Sequence, residues 1–173
     1  MEDNFELSKL TKKKRLNSKT KGNTFQRKVA KLFNERFNTT EFCPTPGSGA
    51  FATTHNLPDY LKISGDLITP KNFLFCIECK KGSNKENLSS LFNPKSDFWG
   101  FWEQAKRDAE ASKKFPLLVI QQDRQKILTV TTDILEEKEI LSKDHICIIR
   151  DGISYLICEL SDLFELADVF FLE

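Results

Sequence analysis

Phe73-Leu74-Phe75-Cys76-Ile77-Glu78-Cys79-Lys80 constrains this chain more than any other stretch, because it is an almost continuous apolar run that ends in charge. Its length, the turn Pro70-Lys71-Asn72 before it and the polar segment from Gly82 after it suit a central strand buried on both faces. Such a strand needs layers above and below, and the flanking sequence supplies them. Gly22-Asn23-Thr24 reads as the opening of a helix, with Asn23 or Thr24 as N-cap, and Phe25, Val29, Leu32, Phe33 and Arg36 give it one face through Phe37. Tyr60 to Ile68 reads as a strand or bulged strand that forms a hairpin with the apolar run. Trp99 to Lys113 is a second helix, with Phe101, Trp102, Ala105 and Ala109 inward and Lys106, Arg107 and Lys113 outward.

Leu117–Gln122 and Lys126–Thr131 read as strands joined through Asp123-Arg124-Gln125, and a short acidic helix is expected near Ile134–Leu141. His145–Arg150 and Ile153–Glu159 should pair across Asp151-Gly152, and Ser161 is placed to cap a last helix. The order helix, strands, helix, strands predicts an α/β fold, a mixed sheet with helices on its faces.

At 173 residues the chain suits one domain with a real core. No apolar run approaches the roughly 18–20 residues that span a bilayer, so no membrane role is expected. The five cysteines, Cys43, Cys76, Cys79, Cys147 and Cys158, are an odd set at irregular spacing, which favours a reduced, cytoplasmic or nucleoid-associated protein over a disulfide scaffold. The net charge of +1 hides a gradient. Lys12, Lys13, Lys14 and Arg15 stand in an acid-free stretch, whereas acids dominate after Asp133. Residues 1–21 therefore read as a flexible basic arm or a solubilising tail, and residues 22–173 as one domain with a core over 22–131 and an acidic elaboration over 132–173.

The chemistry concentrates on the apolar run. Alternation puts Glu78 and Lys80 on one face of a strand, with Cys79 on the other. Two charges at the end of a doubly buried strand are costly unless something uses them. The hairpin would bring Asp66 to the same end. Two converging carboxylates and a backbone carbonyl, here that of Cys79, make a hard-oxygen site suited to Mg²⁺, with Lys80 placed to stabilise developing charge. A bare D…ExK pattern also arises by chance, as a turn acid and a surface ion pair; here its Glu and Lys lie on the most apolar strand of the chain. Cys76 and Cys79, three apart on a strand, point to opposite faces and do not suit zinc. Trp99, Phe101 and Trp102 fit a core better than a base-stacking platform. Gln104, Lys106 and Arg107 could contact a phosphate backbone or form a solvated face.

Gly22-Asn23-Thr24-Phe25-Gln26-Arg27, Gly47-Ser48-Gly49-Ala50, Gly65-Asp66-Leu67-Ile68, Ile77-Glu78-Cys79-Lys80 and Gln104 together resemble the archaeal-type Holliday junction resolvases. These form a branch of the PD-(D/E)xK nuclease superfamily, also carried by some viruses, and the similarity covers residues 21–131. The resemblance implies a restriction-endonuclease-like mixed sheet flanked by helices, with Asp66 and Glu78 holding metal and Lys80 as the catalytic lysine. It further implies that Ser48 positions the scissile phosphate and that a homodimer cuts a four-way DNA junction with Mg²⁺, for which Mn²⁺ substitutes. A viral member would work inside the host cell. One position departs from the family, which usually has Glu where this chain has Gln26, so the first-helix metal ligand and any second metal are in doubt. Lys12, Lys13, Lys14, Arg15, Lys21, Arg27, Lys28, Lys81, Gln104 and Arg107 are the candidate DNA contacts. Two alternatives stay open, a related nuclease on other DNA and a non-catalytic DNA-binding module.

Overall fold

The computed structural model describes residues 18–46, 64–82, 88–132 and 144–173. Helix α1 spans Ser18–Phe37, β1 Cys43–Pro44, β2 Leu67–Ile68, β3 Phe75–Lys81, α2 Asp97–Ser112, β4 Phe115–Gln121, β5 Leu128–Thr132, β6 His145–Arg150, β7 Ile153–Glu159 and α3 Leu160–Leu163. Five strands form the main sheet in the order β3-β4-β5-β7-β6. Strands β3 and β4 are parallel, from Phe75 opposite Phe115 to Lys81 opposite Gln121, because α2 carries the chain back between them. The other three pairings are antiparallel. Asp151 and Gly152, at φ 52° and 76°, make the left-handed two-residue turn that the β6–β7 hairpin requires.

Strand β3 is buried on both faces, as its apolar run predicts, with α1 packed on one side and α2 on the other. Its position differs from the expectation. It ends the main sheet rather than occupying the centre, and the segment around Asp66 covers its outer edge. Among the described residues the expected hairpin is also absent. Leu67–Ile68 is the only strand among the described part of Tyr60–Ile68, and it pairs with Cys43–Pro44.

The basic arm was drawn to residue 21, yet Ser18 to Lys21 are already helical. Asn23 and Thr24 therefore lie inside α1, where the Thr24 hydroxyl donates to the Thr20 carbonyl at 2.9 Å, and neither is an N-cap. An interior glycine costs about 0.5–1 kcal/mol. Burying Phe25, Val29 and Phe33 one, two and three turns on yields roughly 1.5–3 kcal/mol each, so the helix runs through Gly22.

The cluster beneath α1 joins Phe33, Phe42, Phe73, Phe75 and Phe171. Arg36, on the same helix face, donates to the carbonyls of Phe164 and Leu166 and pairs with Asp168 at 2.8 Å. The segment set apart as an acidic elaboration supplies β6, β7 and several members of this cluster, including Leu160 and Leu163. A second cluster lies under α2. Trp99 and Trp102 pack there edge-on to Tyr155, which makes them core residues. Helix α3 begins after Glu159, which takes the N-cap position foreseen for Ser161. Leu88–Phe92 forms a 3₁₀ turn inside the polar segment that follows β3, and the acidic helix expected near Ile134–Leu141 lies outside the described residues. No helix among the described residues is long and apolar enough to cross a membrane.

Candidate active site

Side chains alternate along β3, so its two faces differ. Phe75, Ile77 and Cys79 belong to the cluster beneath α1. Cys76, Glu78 and Lys80 take the face toward α2, where Ser112 lies near Cys76 and Lys80 Nζ donates to Gln104 Oε1 at 2.9 Å.

Asp66 reaches this strand through backbone bonds. Its N–H donates to the Ile77 carbonyl at 2.8 Å, and its Oδ2 accepts from the Cys79 N–H at 2.9 Å. Asp66 thus takes the place of a neighbouring strand on the outer edge of β3. Gly65 makes the approach possible. At φ 80°, a Cβ there would lie 2.8 Å from both the Ile77 oxygen and Cys76 Sγ, and backbone cannot yield as a side-chain tip can.

Glu78 is 2 % exposed. Lys80 Nζ donates to its Oε1 at 2.5 Å and lies 5.5 Å from the centre of the Phe101 ring. Burial and the neighbouring Asp66 charge push the Glu78 carboxyl up to about 7, and Lys80 pulls in the other direction. Asp66, Glu78, Cys79 and Lys80 line a cleft of about 660 Å³ together with Gln26 and Arg27 of α1, Thr45 and Pro46 beyond β1, and Gln104 of α2. The Thr45 hydroxyl is buried there without a hydrogen-bond partner among the described residues.

The family model described as phage putative PDDEXK endonuclease matches residues 17–169. The chain belongs to this family. No curated protein and no solved structure matches it. The PDDEXK endonuclease is thus a nuclease by family, its substrate class is DNA, and its mixed sheet with flanking helices is an α/β, restriction-endonuclease-like fold. Nucleases of the PD-(D/E)xK group typically use divalent metals.

Of the residues singled out in the endonuclease sequence, Asp66, Glu78, Cys79, Lys80, Gln26, Arg27 and Gln104 come together in the cleft. Lys21 and Lys81 do not line it together; both pair with Asp123 in the β4–β5 turn, at 3.4 and 3.5 Å. Lys28 and Arg107 are exposed on α1 and α2 away from the cleft lining. Lys106 pairs with Glu103 at 2.9 Å. Ser48, Lys12, Lys13, Lys14 and Arg15 lie outside the described residues. All five cysteines are free, and among the described residues no three His, Cys, Asp or Glu side chains cluster to hold a metal ion.

Sequence reading missed Thr45, Asp108 and Asp123. Asp108 left a signal, since it follows Gln104 by four residues and such pairs meet on a helix. Thr45 left none, because its burial depends on how β1 meets β2.

Proposed function

We propose that the chain is a divalent-metal-dependent, structure-specific endonuclease that cuts four-way DNA junctions as a homodimer, acting inside the host cell. The observation that carries the nuclease chemistry is the convergence of Asp66, Glu78 and Lys80, from two separate segments, on one cleft.

The donor set fits a hard divalent cation. Asp66 Oδ2 and Glu78 Oε1 are occupied by protein donors, which leaves one oxygen of each carboxylate, and burial, followed by the Asp66 charge, raises the Glu78 carboxyl, a cost that a bound cation would offset. Mg²⁺, with Mn²⁺ as substitute, would be held by Asp66 and Glu78, completed by water and the Cys79 carbonyl, in keeping with its preference for few carboxylates. Gln26 is buried beside them and can add an amide oxygen but no charge. Such an ion, when bound, polarises a phosphate and acidifies water.

The chain's own groups do the rest. Lys80, held by Glu78 and Gln104, sets a cation where charge builds up as water adds to phosphorus and the P–O bond to a sugar breaks. The cleft excludes bulk water from the buried Glu78. Arg27 brings positive charge to the cleft, and Lys28 and the basic sequence Lys12–Arg15 are further candidates to hold the phosphate backbone. Pro46 lines the cleft two residues before Ser48, which supports a phosphate-positioning role for that hydroxyl.

The junction reading rests on the ordered motifs over residues 21–131. A single cleft of this kind cuts one strand, so paired cuts across a junction need two copies.

Cleavage of a labelled immobile four-way junction beside a matched linear duplex, with Mg²⁺ and with EDTA, tests the proposal. Paired symmetric nicks in the junction alone, only with metal, are expected. Cuts in both substrates would remove the junction specificity, and no cuts in either would leave a binding module. Asp66→Asn should abolish cleavage and keep junction binding; full activity in that variant would refute the site.

A further inference from the structure

In the first turns of α2, Phe98, Trp99 and Trp102 are buried, whereas Phe101 is half-buried at the margin of their cluster. The chemistry above gives this ring no task, and its neighbour on β3 suggests one. The Lys80 ammonium lies over the Phe101 ring, 5.5 Å from its centre, within the roughly 6 Å over which a ring face attracts a cation. Gln104 stands three residues later on the same face of the helix, and its Oε1 accepts from the same ammonium at 2.9 Å. Helix α2 thus grips the head of Lys80 with one apolar and one polar side chain, while Glu78 holds it from β3.

The choice of an aromatic side chain at this place has a physical reason. An ammonium carries three N–H donors, and Glu78 Oε1 and Gln104 Oε1 take two of them. At 5.5 Å the ring attracts the charge as a whole and spends no N–H, so one donor remains for a phosphate oxygen. An oxygen ligand in its place would use that donor. A carboxylate there, added to Asp66 and Glu78, would also repel the phosphate backbone. The Lys80 side chain is 23 % exposed, and in so poorly hydrated a place the attraction is stronger than at an open surface.

We propose that Phe101 is a positioning residue for phosphodiester cleavage, its ring face holding the Lys80 ammonium in the cleft with one N–H free for the scissile phosphate. The inference rests on the nuclease reading of Lys80.

Ring fluorination tests it, because each fluorine drains the negative face of the ring and hardly alters its size. Phenylalanine carrying one, two or three ring fluorines is placed at position 101, and Phe101→Leu removes the ring. Single-turnover junction cleavage with Mg²⁺ and metal-free junction Kd are measured for each, and metal-free Tm for each in wild-type and Lys80→Met backgrounds. Cleavage should slow stepwise with fluorine count, by about 2- to 30-fold at three, with the junction Kd within about twofold of wild type. Across the series the Tm should fall by about 1–6 °C in the wild-type background and stay level in Lys80→Met. Full cleavage by Phe101→Leu would overturn the proposal. A slow Phe101→Leu beside a flat fluorine series, or a Tm series equally steep in both backgrounds, would overturn it in favour of packing alone. A weaker junction Kd in Phe101→Leu, with the saturated cleavage rate unchanged, would replace it with a ring that stacks on bases. If wild type cuts neither branched nor linear DNA, the nuclease reading fails and the inference falls with it. The Tm difference between the two backgrounds tells that outcome apart from a failed contact between ring and ammonium.

Discussion

Glu78→Gln should make the metal-free protein more stable above pH 7 while removing cleavage. Glu78 is 2 % exposed, and its carboxyl is pushed up from 4.5 to about 7 by burial and by the Asp66 charge. A carboxyl raised on folding binds its proton more tightly in the folded state. Its contribution is therefore most favourable below 4.5, declines as pH rises through the window from 4.5 to about 7, and is level above it. That interval corresponds to about 3 kcal/mol at pH 8 and about 1 kcal/mol at pH 5.

Glutamine keeps the shape and never ionises, and its amide oxygen can still accept from Lys80. In EDTA at pH 8 the variant should unfold roughly 6–12 °C above wild type, with most of the gap gone at pH 5. Adding Mg²⁺ should raise the wild-type Tm and leave the variant nearly unmoved, because the ion offsets the charge that glutamine lacks. Thermal unfolding at the two pH values, with and without Mg²⁺, measures all of this. A variant no more stable than wild type at pH 8 in EDTA would show that Lys80 alone compensates the buried carboxylate, and would refute the reasoning.

Three further outcomes follow from the geometry. Gly65→Ala, at φ 80° against the Ile77 oxygen, should cost at least about 1–2 kcal/mol and displace Asp66; a variant with wild-type Tm and full cleavage would show that the backbone yields there. Arg27→Ala should weaken metal-free junction binding and lower the salt slope of log Kd by about one, and an unchanged slope would remove Arg27 from the DNA path. Asp123→Asn releases Lys21 and Lys81 from their shared acid and should tighten junction binding by about two- to fivefold at low salt, an effect that must shrink as salt is raised.

Much of the fold was legible because it depends on local rules. The burial of β3 follows from its apolar run, the shared face of Glu78 and Lys80 from strand alternation, and the β6–β7 turn from Asp151-Gly152. The helix start was not, since Gly22-Asn23-Thr24 carries the chemistry of a cap and only the tertiary packing of Phe25, Val29 and Phe33 overrides it. In the site, Asp66, Glu78 and Lys80 were readable as residue types in order. Thr45 became visible only once β1 was placed.

The place of β3 in the sheet was the largest misreading, and its cause bears on function. A strand shielded on its outer edge by an irregular segment has the same apolar sequence as a strand flanked by two others, so periodicity cannot tell them apart. Had a regular ladder continued beyond β3, the Cys79 N–H would have been spent on a strand carbonyl. Because the ladder stops, that N–H is available to the Asp66 carboxylate, while the Asp66 N–H holds the Ile77 carbonyl. The two bonds set one acid beside a second on β3, which a simple hairpin from a regular strand would not do. The cleft that contains both acids, together with Lys80, opens where the sheet ends, and the glycine at 65 permits that ending by lacking the atom that would strike the strand.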